Sequence, residues 1–525
     1  MTAAAIAEAP KRSANEFLIV GASSLGTMFE WYDFFLYGSL ATYIGQHFFS
    51  AVNETTGFIF ALAAFASGFI VRPLGALVFG RVGDIVGRKN TFLVTMGVMG
   101  LSTFIVGFLP GYDAIGIAAP IILVGLRLLQ GLAIGGEYGG AAIYVAEHAR
   151  PERRGLNTSW IQTTAAFGLL LSLGIIIATR AALAPEAFAA WGWRIPFLLS
   201  VFLLAISLWI RMKLNESPVF QKMKEEMAIS RAPYAESFLK WPNLKIVLVA
   251  LLGCVAGQAV TFYTGSFYAL FFLERLIKVD PFTTNISISV ALIAGCAFYV
   301  FFGWLSDRIG RKNIIMLGLL LGTLTYFPTF KMLTAAANPA LARAQASAPV
   351  TVYANKSDCS LQFDLIGKNK FDARACDVIK AYLAKESVNY RAAPLEAGGA
   401  ARVAIGETVI EAPKVAAMAS SERAAAIAAF QQEAHQALAA VGYPEKADPA
   451  AVNKPLVMAL LIWLMFVTTM CYGPMAALLV ELFPARIRYT SMSLPYHIGN
   501  GWFGGLMPTT AFAITAATGN IYAGL

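Results

Sequence analysis

Five ionisable residues lie in stretches that are otherwise apolar. Glu30 and Asp33 stand one helical turn apart in "GTMFEWYDFFLYG" (26–38), Arg72 sits in "VRPLGALVFG", and Arg127 and Glu137 share "RLLQGLAIGGEYGG". A charged side chain at bilayer depth costs at least about 2.5 kcal/mol, so such residues pair with one another or face a wet cavity. A carboxylate beside an arginine stays ionised, whereas one that loses its partner in a dry cavity takes up a proton, because desolvation penalises the charged form. Alternation between those surroundings makes a proton carrier. The guanidinium groups add a second capability, since each can grip a carboxylate through two parallel hydrogen bonds. Bond-breaking chemistry has no comparable support. The membrane portion has no metal-spaced His and Cys cluster, no G-x-S-x-G and no phosphate-binding G-x-x-x-x-G-K-[ST], so neither an enzyme nor a bound metal or cofactor is expected.

The elements that must position these residues are membrane helices. Of 525 residues 58% are hydrophobic and only 14% charged, which makes lipid the natural solvent. Eleven apolar runs are long enough to span a bilayer: 17–49, 57–80, 91–110, 117–145, 157–180, 193–212, 245–274, 284–305, 314–333, 456–481 and 491–519. The first is too long for a signal-peptide core and lacks a cleavage pattern. Arg and Lys concentrate in alternate loops at 81–90, 146–156, 211–245, 306–313 and 483–489, which places those loops and the N-terminus in the cytoplasm. This bias explains most of the +9 net charge without a nucleic-acid partner.

At 1.5 Å per residue from the basic ends, Asp33 and Arg127 both lie roughly 26 Å up, Glu30 roughly 21 Å, and Arg72 and Glu137 roughly 12 to 15 Å. Two layers follow. Asp33 pairs with Arg127 and is the expected proton site, with Glu30 second; Arg72 and Glu137 form a shallower buried ion pair. The alternative is that all of these are permanent pairs that fix helix packing.

An internal repeat organises the chain. "GRVGDIVGRKN" from Gly80 and "GWLSDRIGRKN" from Gly303 both fit G-x-x-x-D-x-x-G-R-K, and "EHARPERRG" from Glu147 is echoed by "ELFPARIRYT" from Glu481. The domains expected are a six-helix bundle at 1–212, a cytoplasmic linker at 213–244, the first part of a second bundle at 245–333, an insertion at 334–455 and the rest of that bundle at 456–525. Substrate sites form between such repeats near the bilayer midplane.

The paired loops resemble the signature of the major facilitator superfamily. More narrowly, "FEWYDFFLYG", "VRPLGALVFG", "RLLQGLAIGGEYGG" and "ELFPARIRYTSMS" are similar to its metabolite:proton symporters, which include permeases for α-ketoglutarate, citrate, shikimate, and proline with betaine. The resemblance implies an all-α fold of two pseudo-symmetric six-helix bundles working by alternating access. The twelfth helix it implies has no counterpart before Leu525. It further implies an acid in helix 1 and an arginine in helix 4 for proton coupling, and a cytoplasmic gate around Asp84, Arg88, Glu147, Asp307, Arg311 and Glu481. Candidate substrate ligands are Arg127, Arg72, Tyr32, Gln258, Tyr263 and Tyr268; Tyr472, Tyr496, His497 and Asn500 are further neutral groups in the second repeat.

The two arginines favour a small mono-, di- or tricarboxylate imported with protons through a bacterial inner membrane by a monomer. A zwitterionic osmolyte such as proline or betaine, and a membrane nutrient sensor without transport, are the alternatives. The insertion, expected on the periplasmic face as a small α+β cap between helices 9 and 10, has strand-like "TVYANKS", "SLQFDLI" and "ARVAIGETVIEA" and helical "DARACDVIKAYLAKE" and "SSERAAAIAAFQQEAHQALAAVG". Its Cys359 and Cys376 are expected to form a disulfide, since an outward location permits oxidation.

Overall fold

The structure, a computed structural model, describes residues 13–51, 54–213, 215–355, 359–360, 371–395 and 399–525. The principal helices and strands, in chain order, are α1 Ser13–Ser39, α2 Glu54–Ile85, α3 Arg88–Phe108, α4 Ala118–His148, α5 Arg154–Ala182, α6 Ile195–Met212, α7 Pro218–Glu225, α8 Trp241–Leu276, α9 Pro281–Ile309, α10 Arg311–Ala337, β1 Val350–Tyr353, α11 Ala375–Lys385, β2 Tyr390–Ala393, β3 Arg402–Ile405, β4 Thr408–Glu411, α12 Ser420–Ala440, α13 Lys454–Leu482, α14 Arg488–Ile498 and α15 Met507–Thr518. Among the described residues, eight helical stretches are long and apolar enough to cross a membrane.

The chain folds as two compact units. The first contains Met1–Ala259, Gly295–Gly318 and Thr469–Gly505. In it, α2 and α4 meet along glycines: a Cβ on Gly131 would strike the backbone of Gly68, and one on Gly75 the carbonyl of Leu132. Small residues at such a seam let two membrane helices approach until their backbones touch, which holds Arg72 and Arg127 on neighbouring helices. The linker contributes α7, whose N-terminus is capped by Ser217 Oγ accepting from the Phe220 N–H at 3.2 Å. The apolar run 491–519 is not one regular helix. Between α14 and α15 the backbone widens into π-helical turns over Gly499–Gly504, where three glycines weaken the α-helical preference.

The second unit contains Val260–Ala294, Leu319–Thr468 and Leu506–Leu525. Between α10 and α13 it carries a four-stranded sheet of order β2-β1-β3-β4, parallel between β1 and β2 and antiparallel elsewhere. Val350, Val352, Val403, Ile405 and Ile410 are buried on one face, the alternation of a sheet covered on one side. Strand β2 is short and was not marked by any alternating pattern; most of the strand expected in "SLQFDLI" (360–366) falls on 361–366, outside the described residues. Cys359 and Cys376 are joined as a disulfide. The sheet region is tied to helix ends by Lys278 and Glu386 at 2.8 Å, by Ser387 Oγ donating to the Arg275 carbonyl at 3.0 Å, and by the Tyr390 N–H donating to the Gly519 carbonyl at 2.8 Å.

Candidate functional site

Asp33 lies at the centre of a buried polar cluster in the first unit. Arg127 Nη1 donates to its Oδ2 at 2.9 Å, and both side chains are almost fully buried. Its Oδ1 accepts from Thr103 Oγ1 at 3.0 Å, with Gln130 Nε2 at 3.5 Å from Asp33 and 2.8 Å from Thr103. The Arg127 guanidinium lies 3.6 Å above the centre of the Tyr37 ring, a cation–π contact. Nε and Nη2 of Arg127 have no hydrogen-bond partner. Beside the pair is a cavity of about 20 Å³ lined by Asp33, Phe69, Arg72, Arg127, Gln130 and others, close to the room that one water molecule needs. Thr103 and Gln130 were not singled out in the sequence, because an uncharged polar residue in a membrane helix carries no distinguishing signal.

The shallower layer is arranged differently from the expectation. Arg72 and Glu137 form no ion pair; Arg72 instead lies 4.3 Å over the Phe69 ring, and its charge acts on Glu30 and on His497. Both carboxylate oxygens of Glu137 are buried without a hydrogen-bond partner. The cation acting on Glu137 is Arg211 from α6. Arg211 ends an apolar run next to Met212 and Lys213 and so reads as a membrane-edge residue in sequence, yet it is 2% exposed. The α1 face beside Gly26 admits its head: a Cβ at Gly26 would collide with Arg211 Nη2.

Of the expected ligands, Gln258 is fully buried with Nε2 3.4 Å from Asn500 Oδ1 and its own Oε1 unpartnered. His497 is buried with both ring nitrogens unpartnered. Tyr496 stacks on Tyr138 at 3.7 Å and shares a 2.5 Å hydrogen bond with Tyr472, while Gln162 donates to Tyr138 at 2.8 Å. Tyr32 is not brought to the cavity, since its hydroxyl donates to the Pro196 carbonyl at 2.6 Å. In the second unit, Tyr268 is a core residue among Phe272, Phe330 and Phe512, and Tyr263 stacks on Phe267 at 5.3 Å.

The repeated loop motifs build two matching clusters in the first unit. Asp84 accepts from the N–H groups of Tyr489 (3.2 Å) and Thr490 (2.9 Å) at the start of α14. Asp307 accepts from those of Gly155 and Leu156, both at 2.8 Å, at the start of α5. Each carboxylate thus sits on orphan donors at the positive end of a helix. Arg88 lies 3.4 Å from Asp84 and 3.7 Å from Glu147, which pairs with Arg488 at 2.8 Å; Arg311 lies 2.7 Å from Asp307 and 3.1 Å from Glu481, which reaches Arg154 at 4.0 Å. Gly87 (φ 128°) and Gly310 (φ 95°), equivalent positions of the motif, turn the chain through a region that side chains disfavour. A Cβ at Gly83 would overlap the Tyr489 ring, whose hydroxyl donates to the Gly136 carbonyl at 2.5 Å.

Comparison with known proteins agrees with this architecture. A family model described as "Sugar (and other) transporter" matches residues 18–236, and one described as "MFS/sugar transport protein" matches 140–354. The shikimate transporter of Escherichia coli (strain K12) is 37% identical over 319 residues, 60% of this chain and 72% of that protein. The glycine betaine/proline/ectoine/pipecolic acid transporter of Dickeya dadantii is 34% identical over 60% of this chain and 64% of its own, and the citrate-proton symporter of Klebsiella pneumoniae 34% identical over 59% and 68%. The proton:xylose symporter XylE bound to 6-bromo-6-deoxy-D-glucose superposes with a TM-score of 0.61 at 14% identity, over 98% of this chain and 93% of that one.

Proposed function

The chain belongs to the major facilitator superfamily of membrane transporters, and from that premise we propose that it carries a small organic acid across a bacterial inner membrane together with protons. The observation that carries this reading is the Asp33–Arg127 pair beside a cavity that Arg72 also lines. When Asp33 takes a proton its hold on Arg127 weakens, and the guanidinium edge becomes available to a substrate carboxylate through two parallel bonds. When the substrate leaves, the arginine returns, Asp33 loses its proton, and the pair re-forms. Binding and protonation therefore favour each other, which is what symport requires. Gln130 and Thr103 hold the aspartate in place through both states, and Gln258, Asn500 and His497 offer neutral polar groups to the remainder of the substrate.

The basic loops mark the cytoplasmic side. On that assignment the two Asp-capped helix ends are a closed cytoplasmic gate, and the disulfide-bearing sheet region is periplasmic. Similarity to the betaine and proline transporter of Dickeya dadantii supports a second substrate reading, a zwitterion whose carboxylate occupies the same arginines. Thermal-shift screening of purified protein with shikimate, citrate, proline and glycine betaine separates the two, followed by uptake of the stabilising compound into proteoliposomes. In that assay Asp33→Asn should abolish accumulation driven by a pH gradient and retain counterflow exchange. Uphill transport that survives in this variant overturns the proton role of Asp33.

A further inference from the structure

Besides the closed pair of Asp33 with Arg127, the first unit holds a second acid and arginine that are buried near each other and do not touch. Glu137 is 0% exposed, and neither carboxylate oxygen has a donor. Arg211 is 2% exposed, and no carboxylate is its ion-pair partner within 4 Å among the described residues. Its head is held by other means: Nη2 donates to the Ser23 carbonyl at 3.2 Å, Nη1 lies 3.4 Å from Met96 Sδ, and Cζ stands 3.3 Å over the Phe92 ring. The groups acting electrostatically on Glu137 are Glu30 from α1 and Arg211 from α6, and the Tyr489 hydroxyl of α14 is in turn acted on by Glu137. Tyr144, farther along α4, acts on Arg211. From α2 and α3 the neighbours at the preceding Gly136 are Phe79 and Thr95, and from α5 Gln162 is engaged by Tyr138.

An ionised carboxylate with no donor in such an interior is several kcal/mol worse than a neutral one. We propose that Glu137 is a second proton-binding site of the transporter, holding a proton in the conformation described here and releasing it toward the basic end, with Arg211 as the positioning residue that receives the carboxylate. This rests on the proton-coupled reading above. The step is a simple ionisation. The Glu137 O–H bond breaks, the proton passes to water once the basic end opens, and the negative charge left behind is compensated by Arg211, which exchanges the Ser23 carbonyl for the carboxylate. Gly26 is the residue that makes room for the arginine to stand beside α1 while it waits. The two layers would then work in sequence. The deeper acid exchanges its proton with substrate binding, and the shallower one with the state of the gate that Tyr489 helps to close.

The test needs no substrate. In pH-difference infrared spectra of the full chain in lipid nanodiscs, the wild type should show a neutral carboxyl C=O band persisting at pH 7 that titrates away at higher pH. Glu137→Gln should remove one carboxyl's share of that band, and Asp33→Asn should leave that share in place. Arg211→Gln should carry the band's titration upward, because the cation that favours the carboxylate is gone; this variant keeps Glu137 and tests the site even where Glu137→Gln does not fold. A spectrum unchanged by Glu137→Gln, or a band indifferent to Arg211→Gln, overturns the proposal. Failure of the Asp33→Asn transport test, by contrast, removes the coupling role of Asp33 and leaves the infrared result standing, so the two readings fail separately.

Discussion

At one side of the basic end Asp84 caps α14 from inside a dry cluster; at the other Asp307 caps α5 in a half-open one. The motif, the backbone geometry and the arginine four residues on are the same. The surroundings are not. The side chains of Asp84, Arg88 and Glu147 are 0%, 0% and 1% exposed, whereas Asp307, Arg311 and Glu481 are 5%, 11% and 32% exposed. The difference comes from outside the repeat. The linker lays α7 over the first cluster, with Ser217 Oγ hydrogen-bonded to Glu147, Glu216 accepting from the Lys89 N–H, and the Phe220 ring 4.9 Å from the Arg88 guanidinium. Sequence symmetry therefore copies the aspartate-capped cluster, and an asymmetric cover decides how deeply each copy is buried.

The largest effect should come from removing the buried carboxylate. Asp84→Ala leaves two helix N-terminal N–H groups without their acceptor and takes one of two carboxylates from beside the buried Arg88, which keeps the Gly83 and Ala485 carbonyls, a loss of about 3–5 kcal/mol for a broken buried pair. Asp307→Ala also strips two helix N–H groups of their acceptor, but beside a part-open Arg311, and should cost less, about 1–3 kcal/mol. Thermal melting in detergent and thiol labelling of cysteines placed at the basic end measure both, and equal effects from the two variants would contradict the account of burial.

A pH effect follows next in size. Burial pushes the Asp84 carboxyl up to about 6, against the pull of Arg88 and the N–H groups of Thr490 and Tyr489. In an opened, hydrated latch the same group has its ordinary value of about 3.9. The closed form therefore binds the proton more tightly, so the shift favours closure fully below the ordinary value, and that contribution is lost as pH rises through about 6. Between pH 7 and pH 5 closure should strengthen about tenfold, read as slower labelling at the basic end. Asp84→Asn should flatten that dependence, and faster labelling of the wild type at pH 5 would show the sign to be wrong.

Much of this was legible in the residues. Apolar runs marked helices of membrane-crossing length, the repeated G-x-x-x-D-x-x-G-R-K marked both helix-capping aspartates, and the depth estimate put Asp33 level with the Arg127 it pairs with. What was hidden was lateral placement. Depth alone set Glu137 level with Arg72, yet the charges that act on it are Glu30 on α1 and Arg211 on α6, the latter at the end of an apolar run that gave no hint of burial. Thr103, Gln130 and the cover provided by α7 were equally silent, because a single hydroxyl, an amide or a short polar linker helix looks the same whether it packs on a site or faces water. The break at Gly499–Gly504 lay in plain view as three glycines, yet hydropathy ran through it without change.

The smallest effect tests the cover itself. Phe220 reaches the first cluster only from α7, and its ring lies over Arg88 without accepting a hydrogen bond from it. Phe220→Ala leaves every latch residue in place and opens a path for water. Desolvation is the leading cause of the raised Asp84 value, so the labelling midpoint of the variant should fall by about one pH unit toward that of a hydrated carboxylate, equivalent to about 1.4 kcal/mol. The cluster around Asp307, which α7 does not cover, supplies the internal control: cysteines placed beside it should label as in the wild type. A midpoint that stays near 6 in Phe220→Ala would mean that the dryness of Asp84 comes from α14 and Tyr489 rather than from the linker, and the two clusters would then differ for a reason written inside the repeat.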